Sequence, residues 1–128
     1  MICEMSGDRL FVDTNILIYL LGGDRDVATI LDGKEIVISF ITELELLSFP
    51  KLTKPQTRII KSLLKDCKVV NLNQEIKDLT IEIRKSSYKL KLPDAIIAAS
   101  ASYFNAPLFT ADSSLTKVEL IDIIKYEV

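Results

Sequence analysis

Apolar residues along the chain fall into short blocks separated by polar turns, and the blocks switch between two periods. Leu10-Phe11-Val12 is a continuous apolar run ending at Asp13 and predicts a buried strand. Thr14 and Asn15 open a helix through Leu21, stopped by Gly22-Gly23, and a second short helix covers Arg25 to Leu31 and ends at Gly33. Glu35 to Ser39 is β-branched and predicts the second strand. Thr42 to Ser48 predicts helix, and Pro55 suits the first position of another that runs to about Asp66. Lys68 to Leu72 predicts a third strand. Between Gln74 and Tyr88 the apolar positions Ile76, Leu79 and Ile83 return at helical spacing. After a turn at Leu90 to Pro93, Asp94 to Phe104 is an alanine-rich helix whose broad apolar surface predicts a central, buried position. Pro107 to Thr110 is a short strand ending before Asp112, and Ile121 to Tyr126 is the last.

Strands and helices therefore alternate, joined by connections too long for hairpins. That pattern predicts an α/β fold: a three-layer α/β/α arrangement with a mostly parallel central sheet. The 128 residues suit a single domain over 1–128.

Composition narrows the chemistry. The chain contains no histidine, which removes Ser-His-Asp and Cys-His catalysis and the usual zinc sites. Its two cysteines, Cys3 and Cys67, match no metal spacing and build no disulfide framework; Cys67, in an apolar stretch, is expected in the core. Met1 to Asp8 lacks a signal sequence and no apolar run is long enough for a membrane span, so a cytoplasmic protein is expected. The net charge of −2, without a polybasic tail, does not by itself announce a nucleic-acid binder.

What remains is carboxylate chemistry. Open α/β sheets take their ligands beyond the carboxyl ends of the strands. Asp13 follows the first strand, Asp112 lies just past the fourth, Asp94 starts a helix, and Glu45 lies one turn inside the helix after strand two. Clustered carboxylates repel one another, and hard divalent cations relieve that repulsion. An oxygen-only ligand set selects Mg²⁺ or Mn²⁺, which can activate water and steady the charge on a phosphodiester. Glu43 competes with Glu45, but at about 100° per residue the two point to different sides of a helix, and Glu45 borders the inward face. Each acid also has an ordinary explanation. Thr42-Glu43-Leu44-Glu45 spells a capping box, and Asp13, Asp94 and Asp112 suit helix caps or turns.

Four segments resemble, in order, the motifs of PIN-domain proteins, particularly the VapC-type toxins of toxin–antitoxin pairs. They are Phe11-Val12-Asp13-Thr14-Asn15-Ile16, Ile38 to Leu46 with the acid three residues after Thr42, Leu92-Pro93-Asp94-Ala95, and Leu108-Phe109-Thr110-Ala111-Asp112. The resemblance implies a parallel sheet between helices, a Mg²⁺ or Mn²⁺ site, endoribonuclease activity, a homodimer, and a cognate antitoxin in the active-site groove. On that pattern Asp13, Asp94 and Asp112 hold the metal and Glu45 orients or deprotonates the attacking water. Asn15 and Thr110 support the carboxylates or touch phosphate. One departure stands at Ser114, where many relatives carry a further acidic or polar residue; a serine supplies no charge, although it can hold a metal-bound water.

Lys85, Lys89 and Lys91 precede Asp94 and offer either a path for the RNA backbone or a solvated face. Tyr88 and Tyr103 are expected to pack in the core or an interface rather than stack on bases. The helix with Ile59, Ile60, Leu63 and Leu64 is the candidate for self-association. Three alternatives remain open: a phospho-acceptor receiver domain, a non-catalytic module on the same fold, and a housekeeping RNA-processing nuclease.

Overall fold

In the computed structural model, which describes residues 8–119 and 121–127, the first strand shows how two cores are sorted. Successive side chains on a strand face opposite sides. On β1 (Arg9–Val12), Phe11 joins one apolar cluster while Leu10 and Val12 join the other. On β2 (Glu35–Ser39) Val37 and Ile38 divide the same way, as do Leu108 and Phe109 on β4 (Leu108–Thr110). All seven of these residues are buried, six of them completely and Leu10 to 3% exposure, so these strands are sealed on both faces.

With β3 (Lys68–Val70) and β5 (Ile123–Lys125), the strands form one sheet in the order β3-β2-β1-β4-β5, every neighbouring pair parallel. One face is covered by α1 (Thr14–Leu21), α2 (Arg25–Leu31), α3 (Phe40–Leu47) and α4 (Lys54–Lys65). The other is covered by α5 (Gln74–Ser86) and α6 (Leu92–Phe104), whose Ala95, Ala98, Ala99 and Ala101 are buried against it. The expected three layers and parallel sheet are present. The order is not the 2-1-3-4-5 of receiver domains, which sets that alternative aside.

Boundaries differ from expectation in places that matter. Helix α3 starts at Phe40, because Ser39 both ends β2 and caps the helix by accepting from the Ile41 N–H at 3.0 Å. Thr42 is therefore not a cap; it lies inside the helix, fully buried. Helix α6 starts at Leu92 with Pro93 in its first turn, so Asp94 is no cap either. Helix α5 ends at Ser86, leaving Tyr88 in the following turn, 75% exposed, and Tyr103 is 41% exposed; of the core or interface positions expected for them, neither is in the core. Strand β3 stops at Val70, β5 is shorter than expected, and a 3₁₀ turn at Leu115–Lys117 was not anticipated. In α4, Ile60 and Leu64 belong to the core and only Ile59 is well exposed, so that helix offers less free surface than its sequence indicates.

The sheet's last edge is tied back across the chain. Tyr126, just past β5, donates to Asp24 at 2.8 Å and sets its ring edge against Phe109. The Asp24 carboxylate pushes the Tyr126 hydroxyl up to about 12, while the Val27 N–H and Tyr126 hold Asp24 below its ordinary value. Cys67 is half-buried; burial pushes its thiol up to about 11, the state of an unreactive packing residue. Cys3 lies outside the described residues.

Candidate active site

The strand order reverses between β1 and β4, and there the sheet leaves a crevice at its carboxyl edge. Asp13 follows β1 and Asp112 stands two residues past β4. Val12 pairs with Phe109, so the two exits are adjacent. Glu45 comes from α3 and Asp94 from the first turn of α6. All four line one cleft of about 190 Å³, together with Thr14, Asn15, Ile18, Phe49 and Ile97. The sequence-derived acids are thus brought together, and Glu43 does not line the cleft.

Hydrogen bonds fix two of the four tightly. Asp13, 5% exposed, caps α1 by accepting from the Ile16 N–H at 3.3 Å through Oδ1. Its Oδ2 accepts from the Thr110 hydroxyl, and Thr110 Oγ1 in turn accepts from the Asp112 N–H at 3.0 Å. One buried threonine thereby ties the Asp13 carboxylate to the Asp112 backbone. Asp112 Oδ1 accepts from the Ser114 N–H and hydroxyl, at 2.9 and 2.8 Å. The capping and turn explanations of Asp13 and Asp112 therefore hold alongside any chemistry, and Ser114 spends its proton on Asp112.

Electrostatically the cleft is unbalanced. Burial, and then the charges of Asp112 and Asp94, raise the Asp13 carboxyl against the lowering pull of Thr110 and Ile16. Burial also raises Asp94, reinforced by Asp112 and Glu45; Lys91 offsets this in part. No lysine or arginine is among the lining residues. An oxygen-only, histidine-free set with an excess of negative charge fits a hard divalent cation. Among the described residues no three His, Cys, Asp or Glu side chains stand close enough together to form a metal-ligand group as placed.

A family model described as the PIN domain matches residues 10–120. The chain belongs to the PIN-domain family. Among solved structures, this PIN domain is similar to a chain of a toxin–antitoxin complex from Klebsiella pneumoniae, with 31% identity and a TM-score of 0.80, covering 93% of this chain and 99% of that one. A chain of VapBC-1 from nontypeable Haemophilus influenzae is 25% identical, with a TM-score of 0.76 over 91% and 97% of the two chains. VapBC2 from Rickettsia felis, bound to a promoter DNA fragment, shares the fold at 17% identity, with a TM-score of 0.79 over 93% and 99%. Among curated proteins none matches significantly. The resemblance seen in the four motifs is thus borne out, and PIN domains of the VapC type are nucleases.

Sequence reasoning missed Thr14, Ile18, Phe49 and Ile97 as lining residues of this PIN domain. Thr14 had a signal, since it directly follows Asp13. Phe49 had none, because it lies beyond α3 in a turn. No helix among the described residues is long and apolar enough to cross a membrane.

Proposed function

We propose that this PIN domain is a Mg²⁺- or Mn²⁺-dependent endoribonuclease, the toxin partner of a toxin–antitoxin pair, acting in the cytoplasm. The observation that carries the proposal is the meeting of Asp13, Glu45, Asp94 and Asp112 in one cleft whose lining includes no basic side chain. Asp13, Asp94 and Asp112 would hold the cation, in part through water. The bound ion supplies positive charge opposite the phosphodiester as it is attacked. Glu45 orients the attacking water and accepts its proton. Thr110 keeps Asp13 and Asp112 in register, and Asn15, at the cleft wall, is placed to touch a phosphate oxygen. Because Ser114 adds no charge, the site is proposed to take one tightly bound ion per chain. The test is cleavage of single-stranded RNA by the purified protein with millimolar Mg²⁺ or Mn²⁺, abolished by a chelator. Intact RNA with both metals would overturn the enzyme in favour of a non-catalytic module.

Partner assignment follows from the surface beside the cleft. An apolar groove lined by Ile18, Leu21, Phe49, Leu52, Ile59 and Ile60 shares Ile18 and Phe49 with the acidic site. An amphipathic antitoxin segment lying there would bring a basic side chain within reach of the carboxylates. The toxin–antitoxin complexes among the similar structures support this partner. A homodimer is part of the same proposal.

The RNA strand is proposed to approach from the α5–α6 turn. Arg84, Lys85 and the exposed Tyr88 border a hollow of about 400 Å³ floored by Ile81 and Leu92, two residues before Asp94, and Lys89 and Lys91 are exposed in the same turn. The chain has no tryptophan, so Tyr88→Trp would install a single reporter. Single-stranded RNA added to the chelated protein should quench its fluorescence. Tyr88→Ala should weaken binding roughly 5- to 150-fold, from ~1–3 kcal/mol per stacked base. Unchanged fluorescence together with unchanged affinity would mean the strand runs elsewhere.

A further inference from the structure

Glu45 stands on an exposed turn of α3, where a long carboxylate side chain normally samples several rotamers. Here it is held. Thr14 Oγ1 lies 2.5 Å from Glu45 Oε1 and 2.9 Å from Thr42 Oγ1. A threonine hydroxyl has one proton to give, and a carboxylate only accepts. The Thr14 proton therefore goes to Glu45, and Thr42 must donate to Thr14. Thr42 is fully buried, which removes water as a competing partner. The two hydroxyls form a directed chain, Thr42 to Thr14 to Glu45, in which each bond polarises the next.

We propose that Thr14 is a positioning residue for Glu45: it commits Oε1, so that Oε2 is the oxygen left to face the cleft, and the Thr42 hydroxyl fixes the direction of that hold. The proposal rests on the nuclease assignment above. Its structural logic is that Thr14 opens α1 directly after Asp13, so one turn of chain sets both a metal-holding carboxylate and, across 31 residues of sequence, the group that handles water. Neither threonine needs to touch RNA or metal to do this.

Thr14→Val removes the hydroxyl while keeping the branched shape, and Thr14→Ser keeps the hydroxyl. In Mn²⁺-activated cleavage of a single-stranded RNA, Thr14→Val should lower kcat about 10- to 100-fold, with KM and the Mn²⁺ dependence within about twofold of wild type. Thr14→Ser should recover most of the rate. In a Glu45→Ala background, Thr14→Val should cost less than about twofold more. Urea unfolding of the chelated protein gives an independent reading of the same pair. Thr14→Val and Glu45→Ala break one shared bond, so their midpoint losses should be less than additive in the double variant. An unchanged kcat for Thr14→Val, or an equal kcat loss with and without Glu45, would overturn positioning. Additive unfolding losses would overturn the contact itself. A wild-type protein that cuts no RNA but shows non-additive unfolding would sink the nuclease assignment while leaving the hold on Glu45 in place.

Discussion

Asp94→Asn is expected to raise the melting temperature of the metal-free protein at neutral pH and at the same time to remove metal-dependent RNA cleavage. Asp94 sits in the first turn of α6, where burial and the charges of Asp112 and Glu45 all oppose its ionised form. Hydrogen bonding is not among the influences on its carboxylate, and the attraction of Lys91 ranks below the burial and the two repulsions, so asparagine takes away more repulsion than attraction. An acid near a helix N-terminus gains about 0.3–1 kcal/mol from the dipole, and losing that works against the gain, so the rise should be a few degrees. Activity should fall at least about 100-fold, the scale of losing one group that stabilises developing charge. The opposite signs make the test sharp, because a purely structural aspartate would lose stability and keep activity. A variant that melts lower, or that cleaves at the wild-type rate, would remove Asp94 from the site.

Mg²⁺ should stabilise the wild type strongly, and the effect should depend on pH with a definite sign. A ligand that binds only the folded state, at a hundredfold excess over its dissociation constant, contributes ~2.7 kcal/mol, which for a domain of this size is on the order of 10 °C. In the absence of metal, Asp13 and Asp94 have folded values raised above the ordinary 3.8. Between 3.8 and those raised values the folded state binds more protons than the unfolded chain, so metal-free stability falls as pH rises through that window. Asp24 acts in the opposite sense: its value is lowered, and its contribution is present above 3.8 and fades as acid takes the pH through its folded value. Asp24 is only partly buried and is screened by solvent, so Asp13 and Asp94 should dominate as pH rises above 3.8. Calorimetric melts with chelator and with Mg²⁺ across that range check both statements. A metal-free melting temperature that climbs from mildly acid to neutral pH, or no shift at millimolar Mg²⁺, would count against a cation-holding cleft.

Much of this was legible in the chain because burial in a parallel sheet leaves near-continuous apolar runs. Leu10-Phe11-Val12 could only be an interior strand, and that placed Asp13 at its exit. Glu45 was separable from Glu43 by helical phase alone, which survives an error in where the helix begins. That error occurred: α3 starts at Phe40 because Ser39 serves two elements at once, and Phe40 and Ile41 are not strong helix formers. Moving the start also changed the meaning of Thr42, from a local cap to a buried hydroxyl facing Thr14. Nothing within a few residues of either threonine encodes that pairing, since 28 positions separate them and only the packing of α1 against α3 joins them. Tyr88 was misplaced for a related reason. The helical segment read from Gln74 to Tyr88 ends two residues sooner, at Ser86, so Tyr88 stands in a turn. Its use depends on what approaches from outside, which no local pattern encodes.

The switch point between β1 and β4 has a consequence for the newborn chain. Asp13 is synthesised well before Asp112, and the bond network from Asp13 through Thr110 to Asp112 reaches across 97 positions between its first two members. A ribosome-bound fragment lacking β4 can hold no complete set of acids, so the proposed site is assembled only once translation has passed β4.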